Sequence, residues 1–413
     1  MELYTNMNLA LFGPTQTTEL NTAGNDLSPE MKTYYADRLV DSAEPNLIHD
    51  QFGDKYPIPK NGGKTIEFRK YSPLDKALAT LTEGVTPNGN KLNVSTITAT
   101  VDQYGDYIEI SDVLDLTAID RNLEQATKLL GSQAGRTLDT VTREVITAGT
   151  NVMYAPKLSG GTETEVLHRY DLDQTALLTV DLVFRAAAKL REMNAVPIDD
   201  YFVGIVHPNV ACDLMTSEKW MDVHKYATPD NIYKGEIGQI GGVRFVQSTE
   251  AKIFGTSVAN SVNAATSSAT SFVLAQKPSA AGEAYLQKAG NKLKIGGTEY
   301  EIASYAKETQ TVTLSAAASL SAGAKVYSTD GGAEGNSVYA TMFLAANAYG
   351  VTDVTGGGLS HIIKQLGSSG SADPLNQRAT TGWKALKTAE RLVEEYMVRV
   401  EHCSRTNPTA ASN

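Results

Sequence analysis

Few residues in this chain are spaced for chemistry. The nearest approach to a phosphate cradle is Gly235-Glu236-Ile237-Gly238-Gln239-Ile240-Gly241-Gly242. A P-loop would end in Gly-Lys-Ser/Thr and a dinucleotide fingerprint would open a helix, whereas this stretch leads into a strand. Its glycines read as turns that let backbones approach. The six histidines, His49, His168, His207, His224, His361 and His402, are dispersed. None has the i,i+4 partner, or the His-x-Glu spacing with a nearby Cys, that a zinc site uses. His207 reads as a turn residue rather than a base. Asp199-Asp200 and Glu394-Glu395 are adjacent carboxylates, which point to different faces and read as solvated charges. There is no nucleophile elbow, no Ser/His/Asp signature and no kinase-like set. The expectation is a protein without catalytic residues, metal ligands or cofactor.

Composition narrows the class further. At 413 residues the chain exceeds the size at which single cores stop growing, so two or more lobes are expected. A hydrophobic content of 41% with 20% charged residues describes a globular protein. A formal net charge of −11 argues against a surface that grips nucleic acid by neutralising phosphates, although not against a protein that surrounds DNA. The first residues, MELYTNMNLALFG, do not read as a signal peptide, and no apolar run approaches a membrane span. Cys212 and Cys403 suit a reducing compartment as free thiols.

The element that organises the chain is a helix predicted over Thr117 to Gly149. Ile119, Leu123, Ala126, Leu130, Ala134, Leu138, Val141 and Val145 recur at steps of three and four. Thr117 is the expected N-cap, Asp120 its weak capping-box partner and Gly149 the C-cap. Gly131 and Gly135 each cost about 1 kcal/mol against Ala, so close packing or a bend is expected there. Ahead of this spine, Thr65 to Tyr71 and Val94 to Val101, running on to Ile110, form a long hairpin whose turn-rich tip offers no core. Such a ribbon is marginal alone and must lie on its own domain or on a neighbouring subunit. Residues 1 to about 27 read as an extended arm, followed by a short helix opened by Ser28-Pro29.

Beyond the spine, a second helix is predicted from Asp173, as its cap, to Asn194, then a buried strand at 201–206. His207-Pro208-Asn209 turns that strand into a third helix through Leu214, Trp220 and Tyr226, and a strand follows at Val243 to Val246. Between Ser257 and about Gly335 the composition shifts to Ala, Ser, Thr and Gly. A flexible lead-in at 259–270 and five or so short strands suggest a small inserted β-barrel or sandwich. The last strand is 396–401, with Tyr396, Val398 and Val400 on one face.

Two further patterns bear on function. Lys64, Arg69, Lys70, Lys76 and Lys91 punctuate the hairpin, with Glu67, Asp75 and Glu83 among them. They are either a solvated face or ion pairs across a subunit boundary, contributing about 0–1 kcal/mol each when exposed. The most specific motif is Asp373-Pro374-Leu375-Asn376-Gln377-Arg378-Ala379-Thr380-Thr381-Gly382-Trp383-Lys384, read as a rigid turn, a free hinge at Gly382 and an amphipathic anchor at Trp383. This segment, continuing to Glu401, resembles the C-terminal signature of the tailed-phage major capsid family typified by the coliphage N-four coat protein. The stretch GEIGQIGGVRFVQS resembles that family's mid-chain signature, and Ala379 stands where a glycine is expected. The key motif residues are Asp373, Pro374, Leu375, Arg378, Gly382, Trp383 and Lys384.

The resemblance implies an α+β, Hong Kong 97-like phage capsid fold with a small all-β insertion domain. Carried onto this chain, it implies an N-terminal arm at 1–55, an extended loop at 56–110 and a peripheral domain at 111–170 and 340–413. It further implies an axial domain at 171–256 and the insert at 257–336. It implies a major capsid protein of a tailed double-stranded DNA bacteriophage, assembling through pentamers and hexamers into an icosahedral shell, in the host cytoplasm. Scaffolding, portal and decoration proteins are the implied partners, with DNA enclosed but not read, and no membrane. The expected interface residues are Lys64, Arg69, Lys70, Asp75, Lys76, Glu83 and Lys91. An encapsulin-like shell around a cargo enzyme is the alternative.

Overall fold

The computed structural model describes residues 17–18, 48–71, 74, 76, 78, 80, 83–84, 89–117, 122–217, 219–220, 238–353, 358–364, 375 and 377–413. The helix expected after Ser28, most of the arm, the third helix beyond Trp220 and the pair Asp373-Pro374 lie outside those residues. The chain divides into two compact units. Residues 1–47, 55–138 and 351–389 form the first; residues 48–54, 139–350 and 390–413 form the second.

In the first unit, strand Asp102–Ser111 runs antiparallel to the fourteen-residue strand Arg378–Arg391, from Arg378 opposite Ser111 to Lys387 opposite Asp102. Strand Ser360–Lys364 pairs with the far side of Arg378–Arg391, and Thr17–Thr18 adds a parallel pair at Glu109 and Ile110. Side chains alternate across such strands. Tyr104 and Ile108, with Trp383 and Ala385, therefore share the face that packs on Leu130, Ala134 and Leu138 of the spine helix. Burying each leucine there contributes roughly 1.5–3 kcal/mol.

Gly382 is no hinge. It lies mid-strand, and an added Cβ would sit 2.7 Å from the Tyr107 Cβ and 2.9 Å from the Asp106 carbonyl oxygen. Close strand approach requires glycine here, which local sequence could not distinguish from a flexible joint.

Of the expected start of the spine, Thr117 stands in a separate short helix and Asp120 lies outside the described residues. Helix α1 spans Asp112–Thr117 and helix α2 spans Asn122–Thr147. Ser111 Oγ accepts the Leu114 amide at 3.3 Å, so a separate short helix starts earlier and Thr117 ends it rather than capping the spine. At 26 residues α2 is about 39 Å long. A Cβ at Gly131 would meet nothing within 4 Å, so the close packing expected at that glycine is not made by the described residues.

The second unit holds a seven-stranded mixed sheet. Strands Gln239–Ile240, Val243–Gln247, Phe202–Val206, Val338–Leu344, Met397–His402 and Val152–Tyr154 follow in that order, with Ile253–Phe254 also on Val338–Leu344. Phe202–Val206 and Val338–Leu344 are buried at every position, as central strands covered on both faces must be. Helix α3, Val180–Glu192, packs Val183, Ala186, Ala187 and Leu190 into this core; helix α4 is Pro208–Met215.

The α3 cap is Thr179, whose hydroxyl accepts the Leu182 amide at 3.3 Å, not Asp173. The Asp173 carboxylate instead folds back on Thr175 N (2.9 Å) and Oγ1 (2.5 Å), and Leu177 bridges Cys403. A local turn has displaced the helix start.

Within this unit, strands Ala259–Ser261, Thr266–Val273, Lys292–Ile295, Thr298–Ala306, Thr311–Leu320 and Lys325–Ser328 form a six-stranded antiparallel sheet. A bridge between Val262 and Leu274 joins its two ends. The lead-in expected to be flexible is strand, because Thr266–Val273 pairs along Thr311–Leu320. Helix α5, Ala280–Gln287, is capped by Ser279 and was not legible in the pattern. Phe272, Leu286, Leu293, Ile295, Ile302 and Val326 are among its buried core. No described helix is long and apolar enough to cross a membrane.

Candidate assembly surface

Strands Thr65–Tyr71 and Val94–Thr100 form a two-stranded ribbon with Thr65 opposite Thr100 and Tyr71 opposite Val94. Val101 N donates to Lys64 O at 2.8 Å, closing its base. One face carries Ile66, Phe68, Ile97 and Ala99, and the Tyr56 ring meets Phe68 edge-on at 5.1 Å. Toward the tip that cover ends. Leu74, Leu78, Leu92 and Val94 are 57%, 84%, 71% and 48% exposed. Four large apolar side chains in one exposed stretch mark a surface made to be covered.

Lys64, Arg69, Lys76, Glu83 and Lys91 are exposed, Lys70 is half-buried, and Asp75 lies outside the described residues. Among the described residues no ion pair involves Lys64, Arg69, Lys76, Glu83 or Lys91. Residues 55–100 hold seven Lys or Arg against three Asp or Glu, a net +4 in a chain of −11. Most of that excess comes from Lys55, Lys60 and Lys64 ahead of the ribbon, whose own residues 65–100 carry four Lys or Arg against three Asp or Glu.

The C-terminal motif serves the sheet that carries the ribbon. Trp383 is buried against the spine and its Nε1 donates to Gln133 Oε1 at 3.3 Å. Arg378 pairs with Glu109 at 3.1 Å; Leu375 and Lys384 are exposed. On the face away from the spine, Gly105, Tyr107, Glu109, Ile362, Lys364 and Thr380 line a groove of about 560 Å³.

The second unit holds buried charge pairs that no spacing revealed. His49 and Asp139 are 1% and 0% exposed; Nδ1 lies 2.6 Å from Oδ2, and the His49 amide donates to Oδ1 at 2.8 Å. Tyr349 Oη donates to the His49 carbonyl, and burial pushes that phenol well above its usual pKa. Glu401, fully buried, accepts Arg169 Nε (2.7 Å) and Nη2 (2.6 Å) and Arg399 Nε (2.8 Å). Arg399 Nη1 also donates to the carbonyls of Thr147 and Gly149 (the latter at 2.9 Å), placing a cation at the negative end of α2.

Glu394, expected to be solvated, accepts Thr150 N and Oγ1, and these bonds lower its pKa. Asp199 and Asp200 are exposed. His207 caps α4 through Asn209 N at 3.2 Å. His402, fully buried beside Thr341 Oγ1 at 2.8 Å, is held down to about 4 by desolvation. Cys212 and Cys403 are both free, and burial pushes the Cys403 thiol up to about 12. No group of His, Cys, Asp and Glu among the described residues could hold a metal.

A cored mixed sheet, a long spine helix and a two-stranded ribbon make an α+β architecture that solved structures share. The chain is similar to the capsid of cyanophage P-SCSP1u at 11% identity and TM-score 0.55, covering 96% of this chain and 100% of that one. It is also similar to the capsid of Ralstonia phage GP4 (12% identity, TM-score 0.54, 94% and 98% covered). For the cyanophage Pam1 capsid the values are 12% and 0.52, with 96% and 99% covered. No curated protein sequence matches. The family model described as phage capsid protein matches residues 27–309, and the chain belongs to that family. It is a major capsid protein of a tailed phage, a component of the virion shell that assembles with copies of itself; an encapsulin-like container is not favoured.

Proposed function

We propose that the chain builds an icosahedral shell through pentamers and hexamers in which each ribbon is covered by the next subunit. The observation that carries this reading is the exposure of Leu74, Leu78, Leu92 and Val94, which pack into no core among the described residues. Heterologous contacts of this kind, one surface on a different surface of the next copy, close into rings when the rotation closes. Residues 1–55 would act as the arm, 56–110 as the extended loop, and 111–170 with 340–413 as the peripheral domain. Residues 171–256 would be the axial domain and 257–336 a surface insert.

The shell would enclose double-stranded DNA without reading it, since an acidic interior lets packed DNA slide. It would be assembled in the host cytoplasm with scaffolding and portal proteins, and would do no catalysis. Replacing residues 72–93 by a short turn should leave a folded subunit that no longer forms particles. Normal shells from that variant in electron microscopy would sink the reading.

A further inference from the structure

The ribbon is held at its root and bare toward its tip: Ala99 and Val101 are buried, whereas Val94 and Leu92 are exposed. Among the described residues its two strands pair only with each other, so no neighbouring strand fixes the direction in which it projects. That direction falls to side chains that touch the ribbon between root and tip. Tyr56 makes such a contact. Its amide donates to the Val351 carbonyl at 3.0 Å, which ties its backbone to the first unit's sheet. Its ring meets Phe68 with the two planes at 72°, and Phe68 stands opposite Ile97, midway along the ribbon.

The residues after Tyr56 anchor it. Ile58 is buried. The Gly62 amide donates to the Pro59 carbonyl at 2.9 Å, closing a turn in which Asn61 is left-handed at φ 68°. A Cβ on Gly62 would lie 2.9 Å from that carbonyl oxygen and 3.1 Å from Ile58 Cγ2, so the turn is tight enough to require glycine. Residues 56–64 therefore form a brace that starts on the sheet, folds back and enters the ribbon at Thr65. Tyr56 is 36% exposed, so its ring fills no core position; what it does is bear on Phe68.

We propose that Tyr56 is a positioning residue for assembly: its ring sets the angle at which the ribbon leaves the first unit, and so where Leu78 and Leu92 meet the next copy. The proposal rests on the reading that the next subunit covers the ribbon. An edge-to-face aromatic pair changes the balance between a held and a swung ribbon by roughly two- to tenfold. A shell repeats the same angle in every copy, so a modest loss in each subunit is multiplied through the particle.

The test reads the angle directly. Spin labels on Lys91→Cys and Lys384→Cys, both exposed positions, are placed in the full chain with Cys212→Ser and diluted with unlabelled copies, so that only distances within one chain are measured. The distance distribution is expected to broaden in Tyr56→Ala and to stay narrow in Tyr56→Phe, which keeps the ring. Phe68→Ala should broaden it too, and adding Tyr56→Ala to that variant should broaden it no further, because both remove one contact. Particle yield should fall severalfold in Tyr56→Ala and recover in Tyr56→Phe, with the subunit's thermal midpoint unchanged. An unchanged distribution in Tyr56→Ala, an equally broad one in Tyr56→Phe, a lowered midpoint, or normal yield from a broadened chain each overturns the inference. The reading beneath it fails by a different result, normal shells from the chain lacking residues 72–93.

Discussion

Residues 65–100 and residues 257–336 are both antiparallel β-structure rich in Thr, Ala and small side chains, yet only the second surrounds a core. In the insert, strands close on one another through Val262 and Leu274, and Leu286, Leu293, Ile302, Val312 and Val326 are fully buried. In the ribbon, two strands have two faces and nothing to close on, so its leucines stay in water. Six strands that close on one another satisfy themselves; two seven-residue strands paired only with each other create a demand for a partner. The difference teaches that, in this protein, the unsatisfied element is the functional one.

The comparison breaks most readily at the level of fragments. A chain of residues 257–336 alone should show a cooperative thermal transition by circular dichroism, and a peptide of residues 60–104 should show none. A ribbon peptide that melts cooperatively would remove its need for a neighbour.

Core truncation should separate the regions next. Leu293→Ala should cost about 2–5 kcal/mol in denaturant unfolding of the insert, whereas Leu78→Ala should change subunit stability by less than about 0.5 kcal/mol. Particle yield should reverse that order, falling more for Leu78→Ala than its stability change explains.

Acid sharpens the contrast in another way. Neither the ribbon nor the insert contains histidine, while the main sheet buries His402 with its pKa lowered to about 4. A lowered basic pKa means that the unfolded chain binds the extra proton. The stabilisation is therefore present above the unfolded value near 6.5 and is lost as pH falls toward 4, by about 3 kcal/mol. Melting of the second unit's sheet should show this slope and His402→Gln should flatten it; an unchanged slope would place the titration elsewhere.

The smallest expected effect is electrostatic. Lys64→Glu with Arg69→Glu should leave the subunit's unfolding free energy within about 0.5 kcal/mol, while slowing assembly most at low salt, where screening is weakest. Equal assembly rates in light scattering would make these residues a solvated face and nothing more.

Much of this architecture was legible before any coordinates. Period-two alternation located Thr65–Tyr71 and Val94–Thr100, and steps of three and four located α2, because both depend on neighbours a few residues apart. A boundary slipped where a small polar side chain chose between two nearby starts, at Thr179 against Asp173. The motif around Trp383 was visible, but its role was not: Gly382 serves close packing, a requirement set by Tyr107 on another strand.

By itself, then, the sequence determined a coreless ribbon, a long amphipathic spine, a distinct small-residue insert and a capsid-family signature, all properties of local pattern. Tertiary structure alone decided that His49 would meet Asp139 ninety positions away. It also decided that Arg169 and Arg399 would converge on Glu401, and that Gly382 would lie against Tyr107. Burial makes a lone charge costly and a paired one tolerable, and pairing depends on which distant strands come together. No spacing along one chain records that.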